Sequence, residues 1–220
     1  MHKGYTLPAG ALFLRAKAAY EATNDAGDER EPRQEAAIDA IVFSEASLEG
    51  FINELAFLAK SLSVTKAAPS TDQAAKLATL ADLLLEAESN NANVRFKYIV
   101  AKWVLSGQGF DKGKQPYQDF ALLIDTRNVL LHLRPVEMHL RTNEELTDGL
   151  LKRFASKNVL AKSNENVVMG WLERIKTRAV ARWACNTTSR MVLSIVDATK
   201  IDALKLIFDL SYREKFSQVQ

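Results

Sequence analysis

The sequence predicts an all-α fold, a bundle of about six to eight helices in a single domain that covers residues 1–220. Glycine and proline are scarce, with 9 and 5 residues among 220, and they cluster between periodic segments. Apolar residues recur at helical spacing in the longer segments. The β-branched runs "VVMGW" and "RMVLSIV" lie inside longer helical periods, so no strand is predicted. A chain of this length buries a core without disulfides or metal.

The N-terminal third predicts two helices separated by a charged connector. The first covers about Leu12 to Thr23, within an N-terminal extension at residues 9–24. The connector, Asp25 to Glu35, is rich in charged side chains and predicts a solvated loop. A long helix follows from about Gln34 to Leu62. Its apolar residues at helical spacing are Ile41, Leu48, Ile52 and Leu55.

The middle of the chain predicts two further helices and a flexible loop. Ser70 and Gln73 form a Ser-x-x-Gln capping-box pattern, which predicts a helix from Thr71 to about Glu88. The next helix covers about Asn93 to Leu105, and the glycine-containing stretch "SGQGFDKGKQP" follows it as a loop.

Four more helical segments are predicted toward the C-terminus. The first covers about residues 118–133 and ends before Pro135, because a residue that precedes proline avoids the α region. The others are shorter pieces around Asn143 to Ser156, a long helix from Asn166 to about Thr199, and a last helix from Ile201 to Lys215.

Composition and charge narrow the class of protein. The net charge of +2 does not by itself indicate nucleic-acid binding, although it allows a local basic patch. One cysteine, Cys185, cannot form an intramolecular disulfide and suits a reducing cytoplasm. Arg15 and Lys17 interrupt the apolar N-terminal run, so a signal peptide is not predicted. No apolar stretch approaches the length of a membrane span. We expect a soluble cytoplasmic protein that does not bind a membrane.

Several common catalytic motifs are absent from the sequence. The glycines of the loop miss the phosphate-loop spacing by one residue, and Gln115 stands where Ser or Thr would hold magnesium. The same glycines miss the dinucleotide pattern. The three histidines form no His-x-x-x-His or Glu-x-x-His pair, so we expect no metal site and no cofactor. No strand-turn-helix elbow presents a nucleophilic serine.

The stretch "IDTRNVLLHLRP" interrupts an apolar helix with polar residues. Asp125, Asn128 and His132 are spaced i, i+3 and i+7, which places them on one helical face. Arg127 lies about 140° from His132 around an ideal helix, at ~100° per residue, but a long arginine can bend toward the same surface. Polar groups among so many leucines are costly unless they find partners. Alternatively, the stripe simply faces water.

The residues of this polar stretch resemble a motif of a known family. The pattern Arg127-Asn128-x-x-x-His132 resembles the Arg-x4-6-His motif of the HEPN domain, in which a polar residue commonly follows the arginine. The segment "AAIDAIVFSEASLEGFINELA" also looks like the early helix of many HEPN-like proteins, with Glu49 and Asn53 in place of that helix's glutamate and asparagine. The resemblance covers roughly residues 34–135, and the C-terminal helices match only by class.

The resemblance implies a metal-independent endoribonuclease that acts on RNA. Many HEPN proteins are such enzymes, including toxins of toxin–antitoxin systems and defence components, and they pair two domains to form one composite site. A homodimer, and an antitoxin or other regulatory protein as a partner, are therefore expected. Histidine titrates near neutral pH and suits His132 as acid or base. The guanidinium of Arg127 suits a phosphate, and the amide of Asn128 can orient either group.

Further residues are candidates for supporting roles. Asp125 and Glu49 are candidate second-layer residues, and either Glu49 or Glu45 can pair with Arg127; an ordinary helix charge is the alternative for both glutamates. Candidate RNA-backbone contacts are Arg134 and an i, i+4, i+8 series formed by Arg174, Arg178 and Arg182. For these arginines the alternative is a solvated face or helix end. His139 follows the proline and is expected at the surface.

Two other functions stay open from the sequence. The chain can be a HEPN-like RNA-binding or protein-interaction module without turnover. It can also be a helical interaction protein in which the motif stabilises a dimer. Intact Arg127 and His132 favour the ribonuclease, although cleavage also needs an open groove.

Overall fold

The computed structural model describes residues 8–25, 30–65, 70–132, 148–161 and 170–220, and this part of the chain is all-α. The all-α prediction is confirmed, since the described residues form nine helices and no strand. The helices are α1 (Pro8–Asp25), α2 (Arg30–Ser63), α3 (Thr71–Ser89), α4 (Val94–Ser106), α5 (Tyr117–Leu131), α6 (Asp148–Ala155), α7 (Trp171–Ile175), α8 (Arg178–Val196) and α9 (Asp202–Ser211).

The long helix α2 lies at the centre of the bundle. Its 34 residues extend about 51 Å at ~1.5 Å per residue. It packs against α1, α3, α4, α5, α8 and α9. The helix begins at Arg30, so the second half of the predicted connector is helical. The four apolar residues that predicted this helix, Ile41, Leu48, Ile52 and Leu55, are all fully buried.

The N-terminal helix α1 is built into the core. Phe13 and Tyr20 are buried, and α1 packs against α2 and α8. The backbone N–H of Ala9 donates a hydrogen bond of 2.6 Å to Oε1 of the buried Glu54 on α2. This bond satisfies one of the backbone donors that a helix N-terminus leaves open. The segment predicted as an extension is therefore anchored to the central helix.

The helix ends in the middle of the chain differ in how they are capped. Ser70 is the N-cap of α3, but its side chain makes no capping hydrogen bond, so that detail of the capping-box prediction is wrong. Asn93 caps α4 through a 2.9 Å bond that its side-chain oxygen accepts from the N–H of Phe96. Gly107 ends α4 with φ 74°, a left-handed conformation that favours glycine.

The prediction of one continuous helix from residue 166 to 199 is wrong. The described residues form two helices there, α7 and α8, separated by Lys176 and Thr177. Thr177 adopts an extended conformation, and its hydroxyl oxygen accepts a 3.1 Å bond from the N–H of Val180. This cap begins a new helix at Arg178. The helical spacing of apolar residues continues across the break, so the spacing alone does not reveal it. The last helix, α9, ends at Ser211, four residues before the predicted end.

Aromatic side chains join the chain's two ends to the central helix. Phe51 of α2 lies 5.2 Å from Tyr212 and 6.1 Å from Phe216, measured between ring centroids. Phe13 of α1 stacks on Phe216 at 4.6 Å. These rings are buried, and aromatic pairs at such distances add to the stability gained from burial. Within the described residues, no helix is both long and apolar enough to cross a membrane.

Tyr212→Phe is expected to lower the free energy of unfolding by about 1–3 kcal/mol. The Tyr212 hydroxyl donates a 2.5 Å hydrogen bond to Oε2 of Glu54, and its removal leaves a buried carboxylate oxygen without that donor. Urea unfolding of both proteins measures the difference. Tyr117→Phe is the matched control, because the Tyr117 hydroxyl makes no hydrogen bond with the described residues. Equal losses in both variants would contradict this role of Glu54.

Candidate functional site

The helix α5 carries the motif and packs its apolar side into the bundle. Phe120, Leu123 and Leu130 are buried, and α5 contacts α2, α6 and α8. The helix ends at Leu131, and the backbone N–H of His132 donates a 3.1 Å bond to the carbonyl of Asn128. The motif helix thus ends two residues before the predicted Leu133. His132 lies at the end of the helix rather than within it.

Arg127 is held by a buried carboxylate of the central helix. Its Nε lies 3.0 Å from Oε2 of Glu45, whose side chain is 3% exposed, whereas that of Arg127 is 28% exposed. One terminal nitrogen of the guanidinium, Nη1, donates a 3.3 Å bond to Oδ1 of Asn128. The arginine therefore links the interior of the bundle to the exposed amide beside it.

Burial raises the pKa of Glu45 to about 7. Loss of hydration is the main cause, because it disfavours the charged form. The positive charge of Arg127 lowers this pKa, and the negative charge of Glu49, one turn along α2, raises it. Glu45 Oε2 makes no hydrogen bond with the described residues, so the contact with Arg127 is an ion pair without good hydrogen-bond alignment.

The sequence suggested Glu45 or Glu49 as the partner of Arg127, and the structure shows an ion pair with Glu45. Glu45 contacts the guanidinium directly, and Glu49 acts on the site through its charge. Asn53, which carried part of the family resemblance, accepts a 3.2 Å bond from the buried Lys97. Lys97 also pairs with Glu88. Within the described residues, Asn53 thus belongs to a separate polar cluster.

Asp125 pairs with cations from two neighbouring helices. It forms an ion pair with Arg95 of α4 and another, at 2.6 Å, with Arg153 of α6. Arg95 also donates a 2.7 Å bond to the carbonyl of Ala121. The carboxylate therefore fixes α4 and α6 against the motif helix. Among the described residues, its ion-pair partners are these two arginines and not Arg127.

The outer end of the motif is open to solvent. The side chains of Asn128 and His132 are exposed, and the imidazole forms no hydrogen bond or ion pair with the described part of the chain. Arg134 and His139, which the sequence placed after the motif, lie outside the described residues. The exposed imidazole is accessible to a substrate or to a second protein chain.

The predicted arginine series on the C-terminal helices does not form one continuous stripe. Arg174 belongs to α7, while Arg178 and Arg182 belong to α8, beyond the break at Thr177. Arg178 lies over the ring of Tyr20 at 4.1 Å from its centroid and donates a 3.1 Å bond to the Tyr20 carbonyl. Arg178 thus anchors α8 to α1, and Arg182 is exposed.

A second buried carboxylate near the motif was not found from the sequence. Asp119, on the first turn of α5, lies 3.0 Å from Arg190 of α8 and forms an ion pair with Lys157. Its side chain is 7% exposed, and a buried charge needs such partners. These partners are 71 and 38 residues away in the sequence, so no local pattern connects them.

Comparisons with protein-family models, with curated proteins and with solved structures find no match to this chain. In the described ranges, no group of three or more His, Cys, Asp or Glu side chains is placed to hold a metal ion. The interpretation of the site therefore depends on its own geometry and on the motif resemblance.

Glu45→Gln is expected to change how stability depends on pH. With its pKa raised in the folded state, Glu45 stabilises the fold below pH ~4.5, and this contribution is lost as the pH rises through about 7. The unfolding free energy of wild type relative to Glu45→Gln should therefore fall, by on the order of 3 kcal/mol, between pH 4.5 and 8. Urea unfolding across this range measures it.

Glu173→Gln is the control for Glu45→Gln, because it removes one negative charge at an exposed position of α7. The Glu173→Gln variant shows how the loss of one exposed negative charge changes the pH dependence of the unfolding free energy. A difference between wild type and Glu45→Gln that stays constant, or that rises with pH, would contradict the assignment.

Proposed function

We propose that this chain is a HEPN-like, metal-independent endoribonuclease whose composite site is formed by a homodimer. The observation that carries the proposal is the position of Arg127, between the buried Glu45 and the exposed Asn128, with His132 exposed one turn further along. A cytoplasmic role as a toxin or defence component, controlled by an antitoxin or other regulator, belongs to the same proposal.

The Glu45–Arg127 pair supports this proposal because it holds the guanidinium close to the buried carboxylate of α2. A carboxylate that is 3% exposed loses hydration, and removal of the arginine would leave it without its ion-pair partner. A guanidinium has five N–H donors. Nε faces Glu45 and Nη1 bonds to Asn128, and within the described part of the chain the other donors remain available to a phosphate. A group held in place before the substrate binds needs less reorganisation during the reaction.

The proposed reaction uses the 2′-hydroxyl of RNA as the internal nucleophile. One imidazole accepts the 2′-hydroxyl proton as the oxygen attacks the adjacent phosphorus. The bond to the 5′-oxygen breaks, and that oxygen takes a proton from the protonated His132 of a second chain. The products are a 2′,3′-cyclic phosphate and a 5′-hydroxyl. Arg127 stabilises the extra negative charge on the phosphate oxygens.

His132→Ala and Arg127→Ala should each reduce RNA cleavage by about 10²–10⁴-fold, because each removes a group that acts on the reacting phosphate. Asn128→Ala should reduce it less, since its amide only orients the arginine. Cleavage should persist in EDTA and leave a 2′,3′-cyclic phosphate. The measurement is incubation with a panel of structured and unstructured RNAs, with circular dichroism of each variant as a check on folding.

A substrate with a 2′-deoxy sugar at the scissile position is the matched control for the nucleophile, and it should resist cleavage. Equal cutting by wild type and His132→Ala would end the proposed mechanism. Absence of cutting by every form, with regulatory partners also tested, would instead favour an RNA-binding or protein-interaction module.

Leu131→Asp is expected to convert a dimer to a monomer and to lower cleavage with it. Leu131 is 51% exposed beside His132, at the end of α5 where the two motifs of a composite site would meet. A charge there opposes the burial of an apolar contact. Light scattering at micromolar concentration gives the mass. The control is Leu210→Asp on α9, where the leucine is 79% exposed. A wild-type monomer, with or without RNA, would contradict the dimer.

A further inference from the structure

A cleft of about 310 Å³ lies between α5, α6 and the loop that precedes α5. Its walls include Lys112 of the loop, Gln118 and Leu122 of α5, Arg153 of α6, and Ser156 and Lys157 in the turn that follows α6. Among the described residues, no carboxylate lines it. Its volume falls at the lower end of the range of small-ligand pockets, roughly 300–1,000 Å³.

The cations around the cleft outnumber the carboxylates that neutralise them. Two aspartates of α5 are each shared between two cations: Asp125 between Arg95 and Arg153, and Asp119 between Lys157 and Arg190. Lys112 is exposed and forms no ion pair with the described residues. The cleft therefore retains an excess of positive charge and attracts an anion.

Hydrogen-bond donors remain available on these side chains. The Nη1 atom of Arg153 bonds to Asp125, which leaves other N–H groups of its guanidinium. Lys157 has three donors, and within the described residues its ion pair is with Asp119. The amide of Gln118 adds a neutral donor, whereas the Ser156 hydroxyl already donates to the Arg153 carbonyl at 2.9 Å. Several donors that converge on one cleft suit a phosphate group.

The cleft and the motif lie on one face of α5. Gln118, Leu122, Asp125, Asn128 and His132 follow the spacing i, i+4, i+7, i+10 and i+14, which keeps them within about 120° around the helix axis at ~100° per residue. At ~1.5 Å per residue, Gln118 and His132 are about 21 Å apart along the axis. A single extended strand of nucleic acid can span this distance with several phosphates.

We propose that this cleft binds a phosphodiester group of the RNA strand, several nucleotides from the bond that the motif would cut. The inference rests on the proposed function, since it names how the same substrate is held. It assigns RNA-backbone contacts to Lys112, Arg153 and Lys157, which line the cleft beside α5. Contacts to phosphates position a strand without reading its sequence.

The test measures binding rather than cleavage, so that its failure can be distinguished from failure of the ribonuclease proposal. Fluorescence anisotropy follows a labelled 2′-O-methyl RNA oligonucleotide, which lacks the nucleophile, at several salt concentrations. Lys112→Glu and Arg153→Ala should each weaken binding by roughly 3- to 10-fold and lower the salt slope by about 0.7 per lost phosphate contact. Arg153→Lys, which keeps the charge beside Asp125, should retain most of the affinity.

Lys205→Glu on α9 is the matched control, because it reverses one exposed charge outside the cleft. It should leave affinity nearly unchanged. Unaltered binding by the two cleft variants, an equal loss in the control, or no RNA binding by wild type would overturn the cleft assignment. Adenosine monophosphate that binds as tightly as the oligonucleotide would also overturn it, since the site would then serve a free nucleotide. If the cleft variants bind and cleave RNA as wild type does, the cleft assignment is wrong and the ribonuclease proposal is unaffected.

Discussion

The burial of two carboxylates on the central helix is the constraint on which the arrangement of the other helices depends. Glu45 and Glu54 lie on α2 with only 2% and 6% of their surface exposed. Burial raises the pKa of both side chains. Glu54 receives hydrogen bonds from the start of α1 and from Tyr212 after α9, while Glu45 receives the charge of Arg127 on α5. The same polar groups that are costly inside the core thus determine which segments pack against it.

Because Glu45 is buried on α2, the motif helix α5 has one polar side that faces the core and another that faces solvent. Arg127 points toward α2 and its carboxylate, while Asn128 and His132 remain in solvent. A hydrogen bond between the guanidinium and the Asn128 amide joins the two sides. An arginine restrained in this way is suited to bind a phosphate, because Glu45 and Asn128 hold it in place before a ligand binds.

Shared carboxylates recur along α5 and connect the packing of the bundle to its surface charge. Asp119 and Asp125 each hold two cations. Those of Asp119 come from the turn after α6 and from α8, and those of Asp125 come from α4 and α6. One carboxylate between two cations is neutralised and leaves an excess of positive charge around it. The net charge of +2 conceals this local excess, since charges of both signs are distributed over the whole chain.

The sequence by itself determined the all-α class, most helices and the polar stripe of α5, because helical periodicity and helix-ending residues are local properties. It could not determine the break at Thr177, where one cap outweighs continued periodicity, or the end of α5 at Leu131. Tertiary structure alone decided that Glu45 contacts Arg127, 82 positions along the chain, and that Asp119 meets Lys157 and Arg190. Spacing places residues on a helical face, but the packing of helices decides which face meets which partner.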